Sequence, residues 1–502
     1  MCNLSGPARA PPRCGRPKRQ GNVVDLRSNT LSEQEKYVAF GGRMVMVGCG
    51  SIGRGVLPLI LRHLDIRPGQ ITIVTADDRA RAEAVELGID YHLVPLHPQN
   101  FRAELESRLG VGDFLLNLSV DVSSTDLVRL CFERGALYLD TCVEPWAGAY
   151  TDPAAPPAQR SNYALREAML ALRRELGAGP TAVVAHGANP GLVSHFVKQA
   201  LLNIAADTGV AAATPQDRAA WAALARRLGI RAIHIAERDT QVSAVPRQAG
   251  EFVNTWSIDG FISEGSQPAE LGWGTHEKTL PADGRLLDSG SARAVILLRP
   301  GASVRVRSWT PLQGPYHGFL ITHNEAISLN NYFTVWEDGK PVYRPTAHYA
   351  YHPCDDAVLS VHELAGRNWR PQKQQRLLLE EIVSGIDELG VLLMGHARGA
   401  YWFGSRLSIA EARRLAPHNS ATSLQVAIGV LSGIVWALEN PAAGIVEAED
   451  MDFERHLELC GPYVRPLVGE YTDWTPLLDR GALFPEAVDA GDPWQFSNVR
   501  VT

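Results

Sequence analysis

The sequence predicts an α/β protein in which a doubly wound parallel sheet is followed by a second α+β domain with a mostly antiparallel sheet. Strand-like and helix-like stretches alternate from residue 42 to about residue 205, and a glycine-rich turn joins the first strand to the first helix. Beyond about residue 206 the alternation gives way to short polar and aromatic stretches separated by turns, which is typical of antiparallel strands. The length of 502 residues fits two or three domains.

The glycine-rich turn carries the clearest motif of the chain. The apolar stretch Met44–Val47 leads into Gly48, Gly50 and Gly53, which form G-x-G-x-x-G between a strand and a helix. In this arrangement the first glycine permits a tight turn, the second lets the backbone approach a pyrophosphate, and the third lets helix and strand pack closely. The motif indicates an NAD(P)-binding domain of the Rossmann type, whose predicted cofactor site includes Gly48, Gly50, Ser51, Ile52 and Gly53.

The end of the second predicted strand leaves the choice between NAD and NADP open. An acid at this position usually binds the adenosine ribose, but the strand Ile71–Thr75 ends in Thr75, and Asp77 follows two residues later. Arg79 and Arg81 lie close by in the sequence and are suited to a ribose phosphate. We assign Thr75 and Asp77 to the cofactor site.

Further polar residues follow the later strands of the same domain. Ligands of parallel sheets bind at the carboxyl ends of the strands. Asn117, Ser119 and Thr141 are therefore predicted to contact the cofactor, and Asp121 and Glu144 belong to the same polar clusters at the strand ends. Helix capping is the alternative explanation for this polar cluster, and for Asp121 both explanations stay open. Asn189, in a glycine- and proline-rich turn, is predicted to lie near the nicotinamide.

The second domain is rich in tryptophan and acidic residues. Trp256, Glu237, Glu264 and the sequence around His323 fall within it. Carboxylates pair with ammonium groups and tryptophan faces attract cations, so such residues can form a cation-binding pocket. Core or interface tryptophans with solvated acids are the alternative. We also expect a helix over residues 376–389 and a strand over residues 391–394.

Composition narrows the class of protein. The net charge of −7 gives no reason to expect nucleic acid and suits a cationic substrate. Seven cysteines without a C-x-x-C pattern indicate reduced thiols in the cytoplasm, and we predict neither a metal site nor a membrane span. The predicted divisions are a disordered extension over 1–40, the nucleotide domain over 42–190 with residues 418–450 able to complete it, a substrate-binding and dimerisation domain over 191–417, and an unassigned segment over 451–502.

Several long strings resemble the bacterial homospermidine synthase family, of the broader saccharopine dehydrogenase-like class. The resemblance runs from about residue 42 to the C-terminus and rests on strings that include NLSVDVSSTD, YLDTCVEPW, GANPGLVS, HIAERDTQ, FVNTWS, SEGSQPAELGWGT, THNE, YAYHPC and GIDELGVLL. It implies an NAD-dependent enzyme, usually a homodimer, that joins two putrescines into homospermidine and releases ammonia, with spermidine as a further possible donor.

The resemblance also implies roles for single residues. Trp256 resembles the residue that holds a cationic intermediate, and Glu237 and Glu264 resemble acids that bind the amine. Asn189 matches a residue near nicotinamide and substrate. The remaining matches place the following residues in the substrate pocket: Asp121, Glu144, His323, Asn324, Glu325 and Asp387.

Two other functions fit parts of the sequence. A saccharopine or carboxynorspermidine type of dehydrogenase would bind substrate carboxylates and therefore needs convergent arginines, for which Arg238 and Arg307 are candidates. A non-catalytic NAD(P)-binding regulator would not need the acids and the tryptophan of the pocket.

Overall fold

The computed structural model describes residues 22–23, 35–210 and 213–501. Most of the extension predicted over residues 1–40 lies outside the described residues. The predicted fold class is confirmed: a parallel sheet is joined to a second domain built on a larger, mostly antiparallel sheet.

The parallel sheet has seven strands, and every neighbouring pair is parallel. The strand Met44–Val47 lies between Ile71–Thr75, which follows it in sequence, and Phe114–Asn117, which comes later. The direction in which strands are added reverses here, which opens a crevice at the carboxyl ends of these strands. The spatial order of the sheet is Ile445–Val446, Ala182–Val183, Leu137–Asp140, Phe114–Asn117, Met44–Val47, Ile71–Thr75 and Asp90–Leu93.

Helices connect and cover these strands, as right-handed crossovers require. Glycine ends two of these helices: Gly135 follows Ser124–Arg134 with a φ of 70°, and Gly177 follows Asn162–Leu176 with a φ of 63°. The helices of this part are Ser51–His63, Arg81–Glu86, Phe101–Leu105, Ser124–Arg134 and Asn162–Leu176. The next helix, Leu192–Asp207, packs instead on the second sheet, against Ile386–His396 and Gly399–Ser408.

The helix Ala421–Glu439 returns from the second domain and packs against Ser51–His63. It begins at a capping box formed by Ser420 and Ser423. Of the described residues, this one helix is long and apolar enough to cross a membrane, but 83% of its apolar window is buried within the fold, as in the core helix of a globular domain. The chain then adds Ile445–Val446 to the edge of the parallel sheet.

The larger sheet, called the mixed sheet below, contains one parallel pair, Ala232–Asp239 with Thr346–His352, and is otherwise antiparallel. Its main path runs through Asn22–Val23, Leu467–Thr472, Gly399–Ser408, Ile386–His396, Ala232–Asp239, Thr346–His352, Pro268–Gly272, Ala294–Pro300 and Gly284–Leu287. A branch continues from Thr346–His352 through Gly314–Ile321 and Arg305–Thr310 to Arg500–Val501.

Shorter elements complete both parts of the fold. The other helices of the second domain are Arg218–Leu228, Ile258–Ser266, Asn324–Tyr332, Asp355–Gly366, Ile409–Leu415, Phe453–Cys460 and Phe496–Val499. Four two-stranded pairs are Val38–Ala39 with Leu64–Asp65, Val242–Ser243 with Ile382–Ser384, Glu251–Asn254 with Gln374–Leu377, and Val335–Glu337 with Lys340–Tyr343.

The prediction of a helix over residues 376–389 is wrong. These residues form the end of Gln374–Leu377, the strand Ile382–Ser384 and the start of Ile386–His396. Gly385 separates the last two with a φ of 118°, and a Cβ there would lie 2.3 Å from the backbone Cα of Gln241. This close approach keeps the segment extended, so that Ile382–Ser384 pairs with Val242–Ser243 and Ile386–His396 pairs with Ala232–Asp239.

Gly429 lies close to the turn that follows the strand Ala182–Val183, and this contact leads to a stability prediction. A Cβ on Gly429, inside the helix Ala421–Glu439, would lie 2.1 Å from the carbonyl oxygen of Gly187. We expect Gly429→Ala to lower the free energy of unfolding by about 1–3 kcal/mol, since overpacking forces backbone to move. The measurement is urea unfolding, with Gly366→Ala, a helical site with open space around it, as a control that is neutral or slightly stabilising. Equal stability of both variants would contradict this packing.

Candidate active site

The glycine turn has the geometry that a dinucleotide requires. Gly48 has a φ of 81°, and a Cβ there would lie 2.8 Å from the backbone nitrogen of Ser119. A Cβ on Gly53 would meet the carbonyl oxygen of Gly48 at 3.2 Å. Gly50 by contrast has no atom within 4 Å of its Cβ position. The turn is therefore closed on the protein side and open where a pyrophosphate would approach.

The helix that follows presents its N-terminus to this open space. Gly50 provides no side-chain cap, and the first turn of Ser51–His63 contains no acidic residue. The hydroxyl of Ser51 is buried and has no hydrogen-bond partner in the described chain. Free N–H groups and an unpaired hydroxyl fit a phosphate group at this place.

The end of the strand Phe114–Asn117 forms a second side of the crevice. Asn117 accepts a 2.6 Å hydrogen bond from the hydroxyl of Ser119 and donates to the hydroxyl of Tyr138 at 3.3 Å. Thr75, in contrast, is only 5% exposed, so its side chain is closed off from the crevice. Asp77, two residues further, is the more accessible of the two groups predicted to bind the ribose.

One cleft brings together predicted residues from both domains. It lies where the carboxyl ends of the parallel strands meet the mixed sheet. Its lining includes Ile52, Ser119, Thr141, Glu144, Asn189, Glu237, Trp256, Glu264, His323 and Tyr349. Three of the predicted cofactor residues, Ile52, Ser119 and Thr141, therefore share one space with predicted substrate and catalytic residues.

Glu237 is one of three acids of the described chain that line this cleft, and it is buried. Its Oε2 accepts hydrogen bonds from the amide of Asn189 at 3.1 Å and from the hydroxyl of Tyr349 at 2.6 Å. Burial raises the pKa of Glu237 to about 8, although the bond from Tyr349 opposes this shift. The charge of His323 also opposes the shift, but burial outweighs both, and in the empty cleft the protonated form of Glu237 is favoured at pH 7.

His323 lies between two acids. Its Nε2 is 3.1 Å from Glu264 and its Nδ1 is 3.0 Å from Glu325. Burial alone would lower the pKa of His323, but the two carboxylates outweigh burial and raise it to about 10. His323 is therefore an imidazolium at neutral pH that donates from both ring nitrogens, and it holds Glu264 in place at the cleft wall.

Trp256 is fixed by its ring nitrogen and its neighbours. Nε1 donates to the hydroxyl of Tyr351 at 2.9 Å, and the indole packs against Phe261 at a centroid distance of 5.6 Å. Tyr351 in turn stacks on Tyr349 at 5.2 Å. The tryptophan is thereby held in one orientation at the wall of the cleft, where its π-system can contact a cation.

Glu144 and Asp121 lie on the nucleotide-domain side. Glu144 lines the cleft, and burial raises its pKa to about 8. The backbone N–H of Asp121 is 3.5 Å from a carboxyl oxygen of Glu144. Asp121 itself is exposed and has a φ of 64°; partial desolvation, followed by the charge of Asp259, raises its pKa.

Three other predicted substrate residues lie behind the wall. Glu325 does not line the cleft but hydrogen-bonds to His323, which does. Asn324 is the first residue of the helix Asn324–Tyr332. Asp387 pairs across the mixed sheet with Asp239 and is fully buried. Burial, then the charges of Glu237 and Asp239, raises the pKa of Asp387 well above its usual range. Direct substrate contact by these three residues stays a prediction.

Sequence reasoning did not identify several cleft residues. Tyr349 and Tyr351 lie two residues apart on the strand Thr346–His352, on the face toward Glu237 and Trp256. The alternation in YAYHP could have indicated them, since side chains at i and i+2 share a face. Cys142, Ser257 and Thr422 also line the cleft, and no sequence pattern pointed to them.

Three histidines form a buried group near the cleft. Ring nitrogens of His186, His195 and His456 lie within 4.8 Å of one another. His186 Nδ1 is 3.1 Å from the carbonyl oxygen of Gly429 and so carries a proton, which leaves its Nε2 to accept from His195 at 3.1 Å. Burial lowers the pKa of all three, and the ammonium of Lys198 nearby disfavours another cation. We assign this group a packing role.

Comparison with known proteins agrees with this geometry. Residues 44–183 match the family model "Saccharopine dehydrogenase NADP binding domain", and residues 187–473 match "Saccharopine dehydrogenase C-terminal domain". Homospermidine synthase from Blastochloris viridis is 56% identical over 94% of this chain and 100% of its own length. This chain belongs to the homospermidine synthase family.

Two further homospermidine synthases extend the comparison. The protein from Mesorhizobium japonicum is 52% identical over 93% of this chain and 97% of its own length. The crystal structure of homospermidine synthase from Legionella pneumophila in complex with NAD has 50% identity and a TM-score of 0.86, and the match covers 92% of this chain and 98% of that one. The two-domain fold is thus that of a homospermidine synthase.

Proposed function

We propose that this chain is an NAD-dependent homospermidine synthase that condenses two putrescines, or a donor such as spermidine and putrescine, with release of an amine. The observation that carries the proposal is the shared cleft. Ile52 and Ser119 of the nucleotide side line the same space as Glu237, Trp256 and Glu264. A diamine in this space would lie next to the cofactor among acids and an aromatic face.

The charges of the cleft favour an amine over a carboxylate substrate. No lysine or arginine of the described chain lines it. Arg238 bonds to Asp355 and to backbone carbonyls, and Arg307 bonds to the carbonyl of Arg500 and to Glu486. The arginines that a saccharopine-type dehydrogenase would need are therefore bound elsewhere, and this alternative is disfavoured, as is a regulator without a functional pocket.

NAD⁺, when bound, oxidises the carbon next to an amine and later returns the reducing equivalent. The chain's own residues bind and orient the diamine during both steps. Oxidation places positive charge on the reacting carbon and nitrogen, which the π-face of Trp256 and the carboxylate of Glu264 can stabilise. Loss of ammonia and attack by the second putrescine then give a new imine, whose reduction yields homospermidine.

Glu237 is the side chain best suited to accept a proton from the reacting amine. Putrescine is a dication at pH 7, because aliphatic amines titrate near 10 as lysine does, and only a neutral amine can be oxidised or attack. His323 cannot take the proton, since it is already an imidazolium between Glu264 and Glu325. A bound ammonium favours ionisation of Glu237, and the resulting carboxylate then faces the amine proton.

The cysteines bear on the cellular location of the chain. The five described cysteines are free thiols, which suits the cytoplasm: Cys49, Cys131, Cys142, Cys354 and Cys460. Assembly as a homodimer is proposed from the family resemblance.

The proposed function predicts catalytic use of the cofactor. We expect the purified chain, incubated with putrescine and substoichiometric NAD⁺, to form homospermidine in large excess over the nucleotide with little free NADH. The measurement is product analysis by mass spectrometry together with absorbance of NADH. Stoichiometric NADH without homospermidine would indicate a dehydrogenase, and neither product would contradict the proposal.

The hydrogen bond from Tyr349 to Glu237 predicts a shift in pH dependence. Because this bond favours the carboxylate, Tyr349→Phe raises the pKa of Glu237 further. If the carboxylate is the active form, kcat/KM rises with pH through the pKa of Glu237 in the free enzyme, near 8, and falls at low pH. We expect the acidic limb of Tyr349→Phe to move up by about one pH unit, with the rate recovering at high pH.

Tyr351→Phe is the matched control for this experiment. It removes the same atom from the adjacent stacked ring, but that hydroxyl accepts from Trp256 and does not bond to Glu237. We expect it to lower kcat without moving the acidic limb. An unmoved limb in Tyr349→Phe, or an equal shift in both variants, would rule out Glu237 as the titrating acid.

A further inference from the structure

A further cavity lies between the two domains and shares no lining residue with the cleft. Its volume is about 250 Å³. Three of the arginines that line it lie on the helix Asn162–Leu176 of the nucleotide domain, and a fourth begins the helix Arg218–Leu228 of the second domain. Its charged lining has two more cations than anions and consists of Arg166, Arg173, Arg174, Arg218, Glu447 and Asp450.

The two acids of this cavity each neutralise one arginine. Arg166 is buried, and its Nε and Nη2 bond to the two carboxyl oxygens of Glu447 at 2.6 and 2.7 Å. Nη1 of Arg173 bonds to a carboxyl oxygen of Asp450 at 2.9 Å. Both carboxylates are therefore already paired and cannot balance any further cation in the cavity.

The other two arginines have no acidic partner in the described chain. Arg218 donates to the carbonyl oxygens of Asn331 and Tyr332, which carry no full charge. Arg174 is exposed, and within the described residues its guanidinium has neither a hydrogen bond nor an ion pair. Partial desolvation, followed by the charge of Arg166, lowers the pKa of Arg218. The cations thus repel one another across the cavity.

We propose that this cavity binds a small dianion of the phosphate class, with Arg174 and Arg218 as its ligands. Two unpaired guanidinium groups are neutralised by two negative charges, and the planar donors of arginine match the oxygens of a phosphate. The cavity has room for such an anion, since its volume is about 250 Å³ and a water molecule takes about 30 Å³ in the liquid.

The placement of the two arginines favours phosphate over a carboxylate. Arg174 and Arg218 belong to helices of different domains. The oxygens of a tetrahedral phosphate point in several directions and can accept from both at once, whereas those of a carboxylate group lie in one plane. A bound phosphate joins the two domains and stabilises the folded chain, because it binds only where both arginines are brought together.

The test is calorimetry of the full chain with inorganic phosphate at low ionic strength. The protein is first saturated with NAD⁺, so that phosphate cannot bind at the glycine turn, and chloride at equal ionic strength controls for screening. We expect saturable binding of one phosphate per chain and a melting temperature that rises with phosphate but not with chloride. Arg174→Ala and Arg218→Ala are each expected to weaken binding by about tenfold or more.

Arg227→Ala is the matched control. Arg227 lies on the same helix as Arg218 and is exposed, but it does not line the cavity. Its substitution removes the same charge and is expected to leave phosphate binding unchanged, and melting temperatures without phosphate show that each variant is folded. Absence of saturable binding, or an equal loss in Arg227→Ala, would overturn the proposal. Tighter binding of malonate than of phosphate would overturn the class of ligand.

Discussion

The burial of acidic groups beside a place for a cation is the constraint on which the rest of the site depends. An unpaired carboxylate in a protein interior costs several kcal/mol, so each acid must be protonated, bonded or paired. Glu237 meets this requirement with a raised pKa and two hydrogen-bond donors, and Glu264 meets it by pairing with His323. The empty cleft is consequently ready to exchange a proton for an ammonium group.

The fold explains how distant parts of the sequence reach one cleft. Parallel strands deliver the glycine turn, Ser119 and Asn189 to one edge of their sheet. The parallel pair inside the mixed sheet places Glu237 opposite Tyr351 in register, with Tyr349 two residues away on the same face. The helix Ala421–Glu439 crosses between the two parts, so that the turn carrying Asn189 is fixed by Gly429 as well as by its own strand.

The nucleotide half could be predicted from sequence because its signals are local. The strands Met44–Val47 and Ile71–Thr75 have the predicted bounds, since apolar, β-branched stretches next to turn residues mark them. The mixed sheet was predicted only as a class, because its register depends on long-range pairing. The charge state of His323 could not be predicted from the sequence either. It is set by Glu264 and Glu325, and only the fold determines how close their carboxylates lie to the imidazole ring. The helix expected over 376–389 failed for the same reason: a backbone contact at Gly385 decides that segment.

We propose that one cleft performs both halves of the reaction with a retained cofactor. The most direct measurement is mass spectrometry of homospermidine made from putrescine deuterated at both terminal carbons, in the presence of excess unlabelled NADH. The product is expected to keep all eight deuterium atoms, because the deuteride removed from the first putrescine returns to the same carbon within the cleft. A product that has lost one deuterium to the free NADH pool would contradict it.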